Sequence, residues 1–311
     1  MKRGHHYVWK HYLNAWATNS QVYCLRNGNI FPINTTKIAK ERDFYRLHKL
    51  SEKDVLFLKT YVMGITPDRR LREHYFAHIR LFSSLPHMSE FASQSLKSPF
   101  EELQSLVIEA REDLYAEIES QGRPYIEFLK ANDTSFFLRP KCAMQFLHYL
   151  FIQHFRTKNM REKYLHACRL LRLPFDESRV WPFIAYISAT NISYSYFRDS
   201  EMFQITVLVN ETDIPFITSD QPTINVLATG DSGTTHKLAL YYPLSPTRAM
   251  VFHEKSELEF ERGSFLNISE VQHYNELVKI HASEFIVSNS FAHLKSLGLE
   301  DSLMGAGDRK Y

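Results

Sequence analysis

Gln153, Arg156 and Thr157 stand at i, i+3 and i+4 within the run from Arg139 to Leu171, a spacing that puts three polar side chains on one face of a helix. Phe146, Leu150 and Met160 lie along nearly the same stripe, so the amide, guanidinium and hydroxyl interrupt a face that should be at least half-buried. An arginine placed there needs a carboxylate or a bound anion, because an unpaired buried charge is heavily penalised. Asp220 is the first carboxylate in line. It sits in "PFITSDQPTINV", Pro215 to Val226, where Pro222 biases its predecessor towards extended backbone and the polar residues mark a turn between two strands. The pair reads either as a structural ion pair tying helix to sheet or as the anion-holding part of a substrate site.

Other polar residues join it. Ser219, beside Asp220, is a weak nucleophile without a positioned base, and none is visible locally. Asn275 shares an apolar-facing stripe with Val271, Val278 and Ala282; turned inward, its amide must find partners, a neighbouring loop or a ligand. His5 and His6 bring two imidazoles, which titrate near neutral pH and serve as general acid and base or as metal ligands. In an extended segment they point to opposite sides, so only one faces a given site. After Arg156, the cations Lys158, Arg161, Lys163, Arg169 and Arg172 suit either a phosphate-bearing partner or a solvated helix face.

Absent motifs remove options. No GxGxxG or GxxxxGK[ST] supplies the glycine turns of dinucleotide and P-loop sites, no GxSxG elbow supports an α/β-hydrolase, and no HExxH spacing marks a metal. A divalent ion would have to be held by residues that the fold gathers.

The elements that must position these groups follow from periodicity. "HYVWKHYLNAWA" suits a short helix, and "QVYCLRNGNIFPIN" a hairpin turning at Asn27-Gly28. From Ser51 to about Ser195 the pattern is helical: "SEKDVLFLKTYV" opens with a capping box at Ser51 and Asp54, and the Arg139–Leu171 run reads as one long helix with Pro140 in its first turn. From Met202 to about His253 the period drops to two in "MFQITVLVN", "IPFITSD", "PTINVLA", "HKLALYYPL" and "RAMVFHE", separated by "ETD", "GDSG" and "SPT", an antiparallel meander. A closing helix with Ser269 and Gln272 as its capping box precedes a last strand, "FIVSN". The expectation is a single α+β domain over 1–311: an N-terminal helix and hairpin at 5–50, a helical core at 51–195, and antiparallel strands with a closing helix at 202–290.

Composition bounds the class. With 311 residues, 44% of them hydrophobic, the chain can bury a large core. Its net charge of +2 leaves room for a local basic groove without a generally basic surface, so nucleic acid is neither indicated nor excluded. Cys24, Cys142 and Cys168 are an odd set at wide spacing and imply neither a disulfide framework nor a zinc site. The N-terminal "MKRGHHYVWKHYLNAW" lacks the apolar run of a signal peptide, and no stretch is long enough to span a membrane. A soluble, cytoplasmic protein with no membrane partner is expected.

In order along the chain, "HHYVWKHYLNAWA", "YAEIESQGRPYIEFL", "FIQHFRTKNMR", "PFITSDQP", "YYPLSP" and the asparagine of "YNELVKIHASEFIVS" resemble the signature of the domain of unknown function 4238 family of bacteria and fungi. The most specific elements are the QxxRT-type motif at Gln153, Arg156 and Thr157 and the TSDxP-type motif at Thr218, Ser219, Asp220 and Pro222. Trp9 stands where the family usually has proline after "HYV". The resemblance also picks out His6, Glu119 and Asn275, and it implies a shared fold and site but no reaction.

Gathered into one pocket, these residues would make a hydrolytic site for a phosphate-containing substrate. His6, Glu119, Arg156 and Asp220 are then expected to be catalytic: Arg156 holds the phosphate, His6 transfers the proton, and Asp220 and Glu119 orient the histidine or hold a divalent ion. His5, Gln153, Thr157, Ser219 and Asn275 are expected on the substrate. A nuclease or nucleotide hydrolase, including one acting as a defence or toxin effector, is the most concrete form, with nucleic acid or a nucleotide as partner. The rival is a non-catalytic sensor of a small anion or nucleotide, and a purely structural Arg156–Asp220 strut is the third reading.

Overall fold

The computed structural model describes residues 3–95, 98–173, 175–228, 237–258 and 261–297. In chain order these form β1 (Gly4–His6), α1 (Lys10–Leu13) with a 3-10 turn at Asn14–Trp16, β2 (Gln21–Arg26), β3 (Asn29–Asn34), β4 (Lys40–Arg42), α2 (Glu52–Ile65), α3 (Arg69–Ser95), α4 (Ser98–Lys130), α5 (Pro140–Phe155), α6 (Lys158–Leu170), α7 (Glu177–Arg198), β5 (Phe203–Asn210), β6 (Thr218–Ser219), β7 (Ile224–Asn225), β8 (Ala239–Ser245), β9 (Arg248–Glu254), β10 (Glu261–Leu266), α8 (Ile268–His281), β11 (Ile286–Ser288) and α9 (Phe291–Ser296). The fold is α+β, helical through the middle, with a C-terminal set of strands and an N-terminal hairpin.

Local chemistry sets several boundaries. Asn27 and Gly28 have φ of 51° and 74°, the left-handed pair that a two-residue hairpin turn between β2 and β3 requires. Ser51 caps α2: its hydroxyl accepts the Asp54 N–H at 3.2 Å and its own N–H reaches Asp54 Oδ2 at 2.8 Å, the reciprocal box read from the sequence. Pro140 opens α5, where its missing N–H leaves nothing unsatisfied.

Other boundaries differ. The Arg139–Leu171 run is two helices, because Thr157 turns extended (φ −75°, ψ 160°) and its hydroxyl accepts the Met160 N–H as the N-cap of α6. The closing helix begins earlier, capped by Asn267 with Glu270 rather than by Ser269 with Gln272. Of "IPFITSD" and "PTINVLA" only Thr218–Ser219 and Ile224–Asn225 are strand. The expected break at 230–233 lies outside the described residues.

The chain divides into two compact units of interleaved segments. The first comprises Met1–Tyr7, Lys40–Gln121 and Leu147–Ser195. Here β1 pairs antiparallel with β4, His6 opposite Lys40, and α7 is buried on nearly every side from Val180 to Thr190, which marks it as the central helix of the unit. The second comprises Val8–Ala39, Gly122–Phe146 and Tyr196–Tyr311. It holds a five-stranded sheet ordered β10-β5-β9-β8-β7 and a four-stranded sheet ordered β3-β2-β11-β6. The pairings are antiparallel as expected, except that β10 lies parallel to β5. Leu25, Phe216, Tyr241, Val271 and Ile286 belong to the core of this unit. No helix of the described residues is long and apolar enough to cross a membrane.

Candidate functional site

In the helical unit, α4 carries Arg111, Glu112, Tyr115 and Glu119, spaced to fall on one stripe. All four are buried. Arg156 directly follows α5, its N–H still donating to the Ile152 carbonyl at 3.1 Å, and its guanidinium lies in the interior at 2% exposure. There Nη2 pairs with Glu119 Oε1 and donates to Gln153 Oε1 at 3.0 Å. The guanidinium also lies over the Tyr115 ring, 5.5 Å from its centroid. Burial alone would lower the Arg156 pKa, and the charge and hydrogen bond of Glu119, together with Tyr45 and Glu112, more than offset it, so the cation is held firmly.

The two histidines of β1 alternate as extended residues must. His5 is fully buried, its Nδ1 accepting the Tyr45 N–H at 2.8 Å while its ring stacks on that of Tyr45. His6 is half-buried, and its N–H donates to Glu112 Oε1 at 3.3 Å. Arg111 is fully buried, donates from Nη1 to the Pro182 carbonyl at 2.6 Å and lies over the rings of Phe82 and Phe183. Burial lowers its pKa.

A pocket opens in this unit between the Phe44–His48 segment, Tyr115, the α5–α6 break and the first turns of α7. Its empty volume is about 410 Å³, counted with the solvent at its mouth. Arg46, Arg156 and Arg161 give it a cationic wall, with His48 beside them, and none of the lining residues is acidic. Pro182 lines it too; lacking an N–H, it leaves the Ser178 carbonyl, one turn earlier, without the usual helical donor. Among the described residues, neither Arg46 nor Arg161 forms an ion pair; Arg161 lies over the Phe44 ring. His48 sits at the exposed rim, and burial first, then the charges of Arg46 and Arg179, lowers its pKa, so the imidazole is neutral at neutral pH.

In the second unit, the segment from Pro215 to Gln221 is held mainly by side chains. Asn275 is fully buried on α8; its Oδ1 accepts the Ile217 N–H at 3.0 Å, and its Nδ2 donates to the Pro215 carbonyl at 2.9 Å. Trp16 Nε1 donates to the Phe216 carbonyl at 2.8 Å, and the hydroxyls of Tyr12 and Thr218 are 2.6 Å apart. Ser219 Oγ accepts the Gln221 N–H and donates to the Gln221 carbonyl, both at 3.1 Å. The Asp220 carboxylate accepts the N–H groups of Ser283 at 3.0 Å and Phe285 at 3.3 Å and the Ser283 hydroxyl. Burial raises its pKa, and these hydrogen bonds draw it part of the way back.

The candidates therefore fall into two groups. His5, His6, Glu119, Gln153, Arg156 and Thr157 belong to the helical unit, and Ser219, Asp220 and Asn275 to the other. The sequence put Asp220 first as the partner of Arg156; instead Arg156 meets Glu119 while the Asp220 carboxylate is engaged by Ser283 and Phe285. Thr157 is a helix cap rather than a third member of one helical face. Sequence reasoning missed Tyr45, Arg46, His48, Arg111, Glu112 and Tyr115; for the α4 residues a signal existed, charges recurring on its apolar stripe. No group of three or more His, Cys, Asp or Glu that could hold a metal ion occurs among the described residues.

The family model for the protein of unknown function DUF4238 matches residues 4–169 and 187–291. The chain belongs to the DUF4238 family. The match covers the residues of both groups, including Glu119, Arg156, Asp220 and Asn275. No curated protein and no solved structure matches the chain.

Proposed function

We propose that this DUF4238 chain binds a phosphate-containing ligand in the pocket of its helical unit. The observation that supports this is the wall of Arg46, His48, Arg156 and Arg161 without a lining carboxylate. Arg156 is already paired with Glu119, so its part is to present a fixed donor array, while Arg46 and Arg161 supply the uncompensated charge. An oxyanion gains most from such donors when they are preorganised and partly shielded from water. Calorimetric titration with inorganic phosphate and pyrophosphate at low and high salt tests the proposal. The double substitution Arg46→Gln/Arg161→Gln should weaken binding about tenfold or more and flatten its salt dependence; binding unchanged from the wild type would overturn the reading.

Hydrolysis is the second reading, favoured by His48. A neutral imidazole among arginines is placed to take a proton from water or a hydroxyl attacking phosphorus, the role the sequence assigned to His6. Asp220 and Asn275 then act as struts of the other unit. Phosphate release from nucleotides and from a phosphodiester, measured with and without Mg²⁺ or Mn²⁺, separates enzyme from sensor. His48→Gln that keeps binding and abolishes turnover supports the enzyme; binding without turnover of any substrate supports the sensor.

A further inference from the structure

We infer that the ligand of this pocket is the dianionic phosphoryl end of a phosphomonoester, recognised by its charge and not by the group it carries. This rests on the phosphate-binding reading and names the class of ligand. The 410 Å³ of the pocket includes the solvent at its mouth; the cavity itself measures about 30 Å³. On that scale a single water needs about 10–15 Å³, so the cavity takes about two waters or one tetrahedral oxyanion. A nucleoside or a sugar is too large for it. The aromatic side is already closed: Tyr45, Tyr115 and Trp181 are 4%, 1% and 6% exposed, with the rings of Tyr45 and Tyr115 edge to face at 4.8 Å and Trp181 against Tyr164 at 5.0 Å.

What the pocket leaves open to a ligand is charge. Arg46 and His48 are exposed and Arg161 is half-buried along its wall, so a phosphoryl group can meet both guanidiniums while its ester substituent points to solvent. Arg46 and Arg161 are the lining arginines that form no ion pair among the described residues. Burial, then Arg46 and Arg179, keeps His48 neutral, so it adds no third charge. Two unpaired cations match the two charges that a phosphomonoester carries near neutral pH. A phosphodiester brings one charge, and its second substituent must share the same opening. With no acidic residue in the lining, there is also no carboxylate to accept the proton of a singly ionised phosphate. The fully ionised monoester is therefore the form that this wall holds best.

The test is calorimetry on the full chain at about pH 8, where monoesters are fully ionised, with methyl phosphate, ribose 5-phosphate, 5′-AMP, dimethyl phosphate and inorganic phosphate. The wild type, Arg46→Gln and Arg161→Gln are compared, with thermal melts to confirm folding. The three monoesters should bind within about threefold of one another, and dimethyl phosphate about tenfold or more weakly. Each substitution should weaken the three monoesters by a common factor. If 5′-AMP binds about tenfold or more tightly than methyl phosphate, the carried group is recognised; if dimethyl phosphate matches methyl phosphate, the second charge is not. Either outcome overturns the inference while the phosphate site stands. If inorganic phosphate binds and the monoesters do not, the site holds the free ion and the inference also falls. If no phosphate compound binds, or neither substitution weakens binding, both readings are overturned.

Discussion

Arg156 and Glu119 meet as an ion pair whose side chains are only 2% and 11% exposed. Removing one partner leaves the other charged in the interior. Glu119→Leu should therefore cost about 3–5 kcal/mol in urea unfolding, while Glu119→Leu/Arg156→Met should recover much of that loss because the buried charge goes too. A single substitution costing less than about 1 kcal/mol would mean that water already reaches the pair.

Asp220 gives a prediction with a pH signature. Asp220→Asn keeps an oxygen for the N–H groups of Ser283 and Phe285, so at neutral pH it should lie within about 1 kcal/mol of the wild type, whereas Asp220→Ala strands both donors and should cost about 3 kcal/mol. The folded pKa is raised above the ordinary 3.8. The native state thus binds the proton more tightly, and the contribution of this group is fully present below 3.8 and lost as pH rises through the folded value. Stability of the wild type relative to Asp220→Asn should fall over that interval in denaturant titrations; a rise would contradict the assignment.

At the junction of α5 and α6, Thr157→Ala removes a helix cap and should cost about 0.5–2 kcal/mol, with Thr157→Ser close to the wild type. Thermal melts of the three proteins decide this. The same loss loosens the backbone beside Arg156, so Thr157→Ala should also weaken phosphate binding where Thr157→Ser does not.

His78 stacks on Tyr186 with ring centroids 4.2 Å apart and planes 10° from parallel, and burial, then Arg111, pushes its pKa down to about 2. Because the folded value lies below the unfolded 6.5, its contribution to stability is present above 6.5 and declines as pH falls below it, by up to about 1.4 kcal/mol per pH unit. His78→Phe keeps the stack and abolishes the titration. Its stability should exceed that of the wild type by a margin that grows from about pH 6.5 to about pH 5; a constant difference would show that His78 is not the group responsible.

Legibility in the sequence followed how local each feature is. The hairpin at Asn27-Gly28 and the Ser51–Asp54 box need only neighbours in the chain, and both are present. The break at Thr157 was hidden by an apolar stripe that continues on either side of it. Its one sign was the cap residue itself. The segment around Ile217 carries strand-like alternation but little ladder, because Asn275 and Trp16 take up its backbone groups, partners distant in sequence. Asn275 was legible as an inward amide through its helical stripe. Glu119 stood out only through the family resemblance, and the pocket wall of Arg46 and His48 not at all, since arginine and histidine in a short connecting segment carry no periodic signal.

Leu25 of β2 pairs with Ile286 of β11, so the inner edge of the N-terminal hairpin waits for the last described strand. During synthesis at about 5–20 residues per second, that delay is some tens of seconds. Through this interval the nascent chain displays an unpaired strand edge, a template for pairing with another chain. Expression yield should therefore depend on what shields β2 on the ribosome, and slowing elongation should favour aggregation of this chain rather than relieve it.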